Sequence, residues 1–302
     1  MVVCLVGTAL VGLVLAVILP SGPVAPRHDA AAPSPSPTTG ASYVPPKRDQ
    51  LVTNEYATYN SGDSSAVKSA DWVATSGSLF AQDGHYWTGV PDSCAPDRYS
   101  ERCTNSNVFR MNTRKVFTGA VRVSLAIRQN REVLDPGCQG TGTCWHGVHV
   151  WLRYRSQYDL YYASVQRADG QIVIKRKVPC GDENLGTYTQ LSSLVPDAFG
   201  VGQWRHYSVT VADGDDDSVV VQIFDDDVDP KTPVVTGIDR GGTNPNWSES
   251  CRTPGGYPSA EYPPIRGAGS VGVRGDFADF SFGEMVVERG RPPSTNPTGP
   301  VG

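Results

Sequence analysis

The sequence predicts an all-β domain, a sandwich of two packed antiparallel sheets, and three observations predict it. Short runs alternating apolar and polar residues recur along the chain between Gly, Asp, Asn and Pro, while helical periodicity is nearly absent. An Asp169-Gly170 pair stands between two such runs, the strongest short-range hairpin signal. About 235 residues remain once the terminal segments are set aside, an ordinary size for one sandwich.

The terminal segments read differently from the middle. Residues 2–19 are almost wholly apolar and carry no charge, and Pro20, Ser21 and Gly22 follow. Residues 1–22 therefore read as a signal peptide or as an uncleaved N-terminal anchor, with a buried core helix as a third reading. No Lys or Arg precedes the run, which is atypical of a signal. Either export reading places the rest of the chain in a secreted or cell-surface setting. Eight prolines between positions 20 and 46 make residues 23–53 a disordered, extended linker. Residues 289–302 repeat that composition as a tail. The folded domain is expected over 54–288.

Cysteine usage agrees with export. Cys4 lies in the apolar segment, and the remaining six form an even set, which favours disulfides in an oxidising compartment. Local order gives Cys94–Cys103, Cys138–Cys144 and Cys180–Cys251. A zinc site lacks any C-x-x-C pair, and no cysteine is left over as a reactive thiol. The net charge of −5 makes nucleic acid a poor partner for the whole surface. Membrane contact is expected only through an uncleaved N-terminal segment, and the chain is expected to be a monomer.

Strands are expected, in order, at 55–59, 72–80, 121–128, 146–154, 160–167, 172–178, 204–211, 218–224, 269–274 and 279–287. Successive side chains of a strand point to opposite sides. Val121, Val123, Leu125 and Ile127 thus share one face, and Arg122, Ser124 and Arg128 the other. Val148, Val150, Leu152 and Tyr154 oppose His149, Trp151 and Arg153 in the same way. A two-residue turn at Asp169-Gly170 pairs Gln166 with Val173, Ser164 with Lys175 and Tyr162 with Lys177, and puts Val165 and Ile174 together in the core. A symmetric turn after residue 154 sets Trp151 beside Tyr162 and His149 beside Ser164.

With the strands placed, the chain resembles the concanavalin A-like lectin/glucanase (laminin-G-like) jelly rolls. The likeness rests on the opening Trp72-Val73-Ala74-Thr75-Ser76-Gly77-Ser78-Leu79-Phe80, on the hairpin Leu160-Tyr161-Tyr162-Ala163-Ser164-Val165 with Asp169-Gly170 and Ile174-Lys175, and on the closing Gly269-Ser270-Val271-Gly272-Val273-Arg274-Gly275-Asp276 with Asp279-Phe280-Ser281-Phe282. It implies a jelly roll whose ligand lies across the concave face of one sheet. Such folds host lectins, glycan-binding modules, glycoside hydrolases and polysaccharide lyases, and fold does not choose among them.

The polar strand faces supply a candidate site: Arg122, Arg128, His149, Trp151, Arg153, Tyr162, Gln166, Lys175 and Lys177. Aromatic rings offer apolar plates to sugar C–H faces, and Arg grips a carboxylate or sulfate with two parallel bonds. The expected ligand is a polysaccharide, in particular an anionic one. The bland alternative is an ordinary solvated sheet face. For chemistry, the E-x-D-x-x-E motif of retaining glucanases is absent and the carboxylates near the end are misspaced. A β-eliminating lyase remains an alternative, with Arg153 or Lys175 as neutraliser, His149 as base and Tyr162 as acid. A cell-wall adhesion or structural module is a third reading.

Other features carry less. Asp225, Asp227 and Asp229 are weak Ca²⁺ candidates without EF-hand spacing, against the default of a solvated acidic turn, and no other cofactor is expected. Asp276 and Asp279 read as turn-shaping. Trp87, Trp145 and Trp247 line a groove rim or cover the neighbouring disulfides, the latter being the expectation. His206 reads as packed within its strand, and His85 is uninformative. Asn246-Trp247-Ser248 is a formal glycosylation sequon. No phosphate-binding Gly loop, Ser–His–Asp spacing or internal repeat is visible.

Overall fold

Alternation decides the layers. Val121, Val123, Leu125 and Ile127 turn inward from Val121–Arg131, and Val148, Val150 and Leu152 from Gly147–Ser156, and all seven are buried in one core. The structure, a computed structural model, describes residues 40–99, 103–131, 145–181, 186–197, 199–251 and 257–290. Among the described residues, a ten-stranded sheet runs in the order Val235–Asp239, Val219–Asp225, Arg205–Asp213, Val121–Arg131, Asp279–Phe282, His85–Trp87, Ser78–Gln82, Gln50–Asn54, with Ala41–Tyr43 and Met285–Arg289 branching from it. An eight-stranded sheet runs Gly186–Gln190, Gln171–Pro179, Asp159–Val165, Gly147–Ser156, Ser270–Asp276, Val108–Thr113, Trp72–Ser76, with Val195–Pro196 beside Gln171–Pro179. Every pairing is antiparallel. The inner faces fuse into one apolar core, as expected of a sandwich.

Several boundaries differ from expectation. The sandwich begins inside the stretch assigned to the linker: Ala41–Tyr43 pairs with Met285–Val287, and Gln50–Asn54 pairs along Ser78–Gln82. Pro45 and Pro46 fall between these strands, where no ladder N–H is needed. Tyr43 is buried with its ring centroid 4.7 Å from that of Trp72. At the other end, Met285–Arg289 carries pairing to the first residue of the expected tail. Residues 55–59 form a helix instead of a strand, because Asn54 caps it by accepting from Ala57 N at 3.1 Å.

The expected strand over 72–80 is two strands, one in each sheet. Gly77, at φ +82°, is the corner between them, in a conformation that favours glycine. The expected strand over 279–287 likewise breaks at Gly283 and Glu284. The Asp169-Gly170 hairpin has a longer connection than two residues. Gln166 sits at φ +48° and its N–H leaves the ladder for Asp197 Oδ2 at 2.9 Å. Pairing therefore slips by two, to Ser164 with Val173, Tyr162 with Lys175 and Leu160 with Lys177. A slip of two preserves the faces, so Val165 and Ile174 still meet the core.

Disulfides join Cys94 to Cys103 and Cys180 to Cys251, as expected. Cys138 and Cys144 lie outside the described residues, as do the signal or anchor segment and most of the linker and tail.

Candidate functional site

The outward face of the eight-stranded sheet is built by register. Asn112, Gly272, Trp151, Tyr162, Lys175 and Gln190 face one another on six consecutive strands, a row about 24 Å across at ordinary strand spacing. A second row holds Arg110, Arg274, His149, Ser164 and Val173, and a third Leu160, Lys177 and Tyr188. Trp151 lies opposite Tyr162 and His149 opposite Ser164, in the register expected. His149, Trp151, Tyr162 and Lys175 thus share one side of one sheet.

The floor of that face is closed. Trp151 is 0%, Tyr162 3% and His149 5% exposed, and Lys177 is also buried. Trp151 stacks on Tyr154 at 5.1 Å and meets Tyr162 edge-on at 5.8 Å, and Tyr162 meets Tyr188 at 5.2 Å. Together with Leu160 these rings form a second apolar cluster, separate from the main core. Trp151 is therefore packing, not the open plate that its place on a polar face suggests. Arg110, Tyr154, Lys175 and Tyr188 remain half-buried, and Gln190 is exposed.

Beside the rings runs a buried polar chain. Arg274 donates from Nε and Nη2 to Asp276 Oδ1 at 2.9 and 2.7 Å, and from Nη1 to the hydroxyls of Tyr162 and Tyr188 at 3.0 and 2.9 Å. His149 Nε2 lies 3.2 Å from Asp276 Oδ2, and its Nδ1 lies 2.8 Å from Ser164 Oγ. Burial pushes the His149 pKa below its ordinary value, outweighing the pull of Asp276. The neutral ring then donates from Nε2 to Asp276 and accepts the Ser164 hydroxyl at Nδ1. Burial pushes the Asp276 carboxyl up, but Arg274 and His149 outweigh it and hold the carboxyl well below the usual range. Burial likewise pushes the Tyr162 phenol far up, so it stays protonated.

Ser164, His149 and Asp276 thus stand in a Ser–His–Asp order that sequence spacing conceals. Ser164 is 1% exposed, and Asp276 is shared with Arg274, so the chain acts as a clamp on that guanidinium. Both His149 nitrogens are engaged by these contacts.

The clamp has a pH signature. Between the lowered folded pKa and the unfolded value near 6.5, the unfolded state binds the extra proton. Stability therefore rises with pH across that window and falls as pH drops below about 6.5, by at most about 1.4 kcal/mol per pH unit. Melting temperature is expected to drop between pH 7.5 and 5.5 more in the wild type than in His149→Gln. Parallel pH profiles for the two would refute it.

Other expected site residues lie elsewhere. Arg122 and Arg128 sit on Val121–Arg131, in the ten-stranded sheet, because alternation fixes a face but not a sheet. Arg122 pairs with Asp226 at 3.1 Å. Arg153 leaves the expected face at an irregularity between Leu152 and Ser156, where its φ is +47°. Its Nη1 donates to Asp213 Oδ1 and Ile265 O at 2.5 and 2.6 Å, so it is no carboxylate neutraliser for His149 or Tyr162. Gln166 is buried at the sandwich edge, donating to Ile127 O at 3.1 Å. Asp225 and Asp227 are held by Arg205, and Asp227 also by His206, which is exposed and not packed. Asp229 accepts from Lys231 N at 2.9 Å. Among the described residues no three His, Cys, Asp or Glu side chains are grouped to hold a metal ion.

Arg110, Tyr188 and Arg274 are members of the face that the sequence did not single out, and Asp276, which reads there as turn-shaping, is a buried member of it. Alternation puts Gly272, Arg274 and Asp276 on one side of the closing strand, and the strand order alone brings that side to this face.

The fold is a two-sheet antiparallel β-sandwich, the architecture that the resemblance implied. No protein-family model matches the chain, and no curated protein does. Among solved structures, it is similar to a carbohydrate binding module, CBM66, from Bacillus subtilis, at 9% identity over 72% of this chain and 94% of that one, with a TM-score of 0.43. A mutant of the alginate lyase Aly36B in complex with an alginate trisaccharide matches at 8% identity over 84% and 99%, with a TM-score of 0.43. The Emp46p carbohydrate recognition domain in its metal-free form matches at 10% identity over 73% and 89%, with a TM-score of 0.39. Likenesses of this size say nothing of this chain's ligand.

Proposed function

We propose that the protein is an extracellular polysaccharide-binding protein that takes an anionic glycan across the outward face of its eight-stranded sheet. One observation carries this reading. Among the described strand residues facing outward there, Arg110, Arg274, Lys175 and Lys177 stand against a single carboxylate, Asp276. In a chain of net charge −5, such a concentration of cations over a low-dielectric floor focuses positive potential on one surface. The half-buried Arg110 and Lys175 are placed to meet carboxylates or sulfates, and the half-buried rings of Tyr154 and Tyr188 to meet sugar C–H faces. Trp151 and Tyr162 act one layer down, as the rigid bed beneath these groups. Export is supported by the apolar segment at 2–19 and by the Cys94–Cys103 and Cys180–Cys251 bonds.

Retention of the full chain in gels containing alginate, pectate, glucuronan or glycosaminoglycans tests the reading. At least one polymer is expected to retard the wild type, less so as salt rises. Arg110→Ala with Lys175→Ala is expected to weaken retention by roughly tenfold or more at unchanged melting temperature. Indifference of the wild type to every polymer, or equal retention of the double variant, would sink the proposal. Ultraviolet absorbance growing in these mixtures would instead mark β-elimination.

A further inference from the structure

The outward face of the other sheet carries a second feature that the proposed function does not use. A surface depression of about 420 Å³ lies over the ten-stranded sheet, with Trp87, Arg128, Asn130, Ser281, Gln82 and Asp83 in its lining. Register explains its shape. Trp87 pairs with Ser281, and Ser281 with Arg128, so a small side chain sits between two large ones. At strand spacings of about 4.8 Å, the flanking residues are about 9.6 Å apart. That separation leaves room for one flat group at van der Waals distance from each wall.

Both walls are fixed in place. Trp87 donates from Nε1 to the buried Asp279 Oδ1 at 2.8 Å, and its ring lies 5.4 Å from that of Phe80. Asp279 is itself held by Asn130 Nδ2 at 2.9 Å and by Arg131 Nε at 2.8 Å. On the far side the Arg128 guanidinium lies over the Trp204 ring at 4.7 Å, and Trp204 also packs on His85 at 4.5 Å. Arg128 uses Nε on Asn130 Oδ1 at 3.0 Å, and its two terminal nitrogens have no hydrogen-bond acceptor among the described residues. Phe80, His85, Trp87 and Trp204 are all half-buried on a face that otherwise meets solvent. Partly exposed aromatics grouped around unengaged donors are what a ligand site needs, not what a solvated sheet needs.

The polar rim decides the ligand class. Arg128 offers the four N–H donors of its two terminal nitrogens, Asp83 an exposed carboxylate acceptor, and Gln82 an amide NH2 and an amide oxygen. Acceptors and donors in the lining of one depression that also holds an indole plate match a neutral, hydroxyl-rich ring with apolar C–H faces. The Asp83 carboxylate disfavours an anion there, unlike the cationic face of the opposite sheet. We propose that this depression is a second, independent subsite for one uncharged pyranose unit, stacked against Trp87 and gripped through its hydroxyls by Arg128 and Asp83. A chain with one site on each sheet can bridge two glycans, or gain avidity on one that carries both charged and neutral sugars.

Calorimetric titration of the full chain with cellobiose, maltose and lactose tests the subsite. At least one disaccharide is expected to bind, and both Arg128→Met and Asp83→Asn to weaken it at least about tenfold while the melting temperature stays as in the wild type. Asp83 is exposed, so its variant reports on binding without disturbing the fold. Retention by anionic polymers is expected to be unchanged in both variants, which separates this subsite from the other face. Silence of the wild type toward all three sugars, or wild-type affinity in either folded variant, would overturn the assignment.

Discussion

Arg176→Ala is expected to lower the stability of the protein by about 3–5 kcal/mol, which corresponds to a fall of roughly 6–20 °C in melting temperature for a domain of this size. Arg176 is 0% exposed and sits on the core side of Gln171–Pro179. Its Nη2 reaches Asp159 Oδ1 at 2.7 Å and its Nη1 reaches Asp239 Oδ2 at 3.1 Å. Asp239 closes a strand of the opposite sheet, so this guanidinium ties the two layers together. Tyr257 Oη accepts from Nη2 at 2.5 Å, and the guanidinium lies 5.2 Å from the centre of the Tyr161 ring. Tyr161 in turn donates to Asp239 Oδ2 at 2.6 Å and accepts from Ile265 N at 2.9 Å.

Truncating the arginine leaves two carboxylates near one another with no cation between them. That residual charge, more than the lost contacts, is what costs stability. The triple variant Arg176→Met, Asp159→Asn, Asp239→Asn is therefore expected to recover most of the loss, because it removes the charges as a set. Urea denaturation of both proteins checks the pair of outcomes. A loss below about 1 kcal/mol in Arg176→Ala, or no recovery in the triple variant, would show that the network is not what joins the sheets.

The same residue shows what the sequence conveys and what it hides. Alternation places Ile172, Ile174, Arg176 and Val178 on one side of a strand, and nothing local says that a charged member of that set is buried. Its partners come from positions 159 and 239, and only the order of strands brings them together. Local pairing was legible wherever a short connection joined two patterned runs, as for Trp151 with Tyr162 and His149 with Ser164. It survived even the slip at Asp169-Gly170, because a shift of two keeps every side chain on its side. What alternation leaves open is which sheet a strand joins, hence the displaced Arg122 and Arg128. It also leaves open whether a polar face is open or packed. Ser270–Asp276 inserts between Gly147–Ser156 and Val108–Thr113, strands remote in sequence. That insertion delivers Arg274 and Asp276 to His149, and no spacing rule foretells it.

Asp276→Ala is expected to cost about 3–5 kcal/mol as well, on the other side of the same sheet, and to change the acid limb of the stability curve. The buried Arg274 guanidinium loses the oxygen that accepts from both its Nε and Nη2, and His149 loses the acceptor of its Nε2 proton. In the wild type the folded carboxyl has a pKa far below its unfolded value, so its contribution is full at neutral pH and is lost as pH falls below about 4. Removing the group removes that dependence: the variant is expected to be less stable at pH 7 and to lose less on further acidification. Thermal melts at pH 7 and pH 3 read both effects. A uniform drop at all pH values would assign Asp276 a packing role only. Binding gives a second readout, because Arg274 also positions the hydroxyls of Tyr162 and Tyr188 beneath the proposed glycan face. Asp276→Ala is expected to weaken anionic-polymer retention at temperatures where it is still folded. The variant Lys175→Ala, by contrast, is expected to weaken retention while leaving the melting temperature in place. The face works as a charged surface only because a buried anion holds its deepest cation still, and that is why stability and binding should separate at Lys175 and fail together at Asp276.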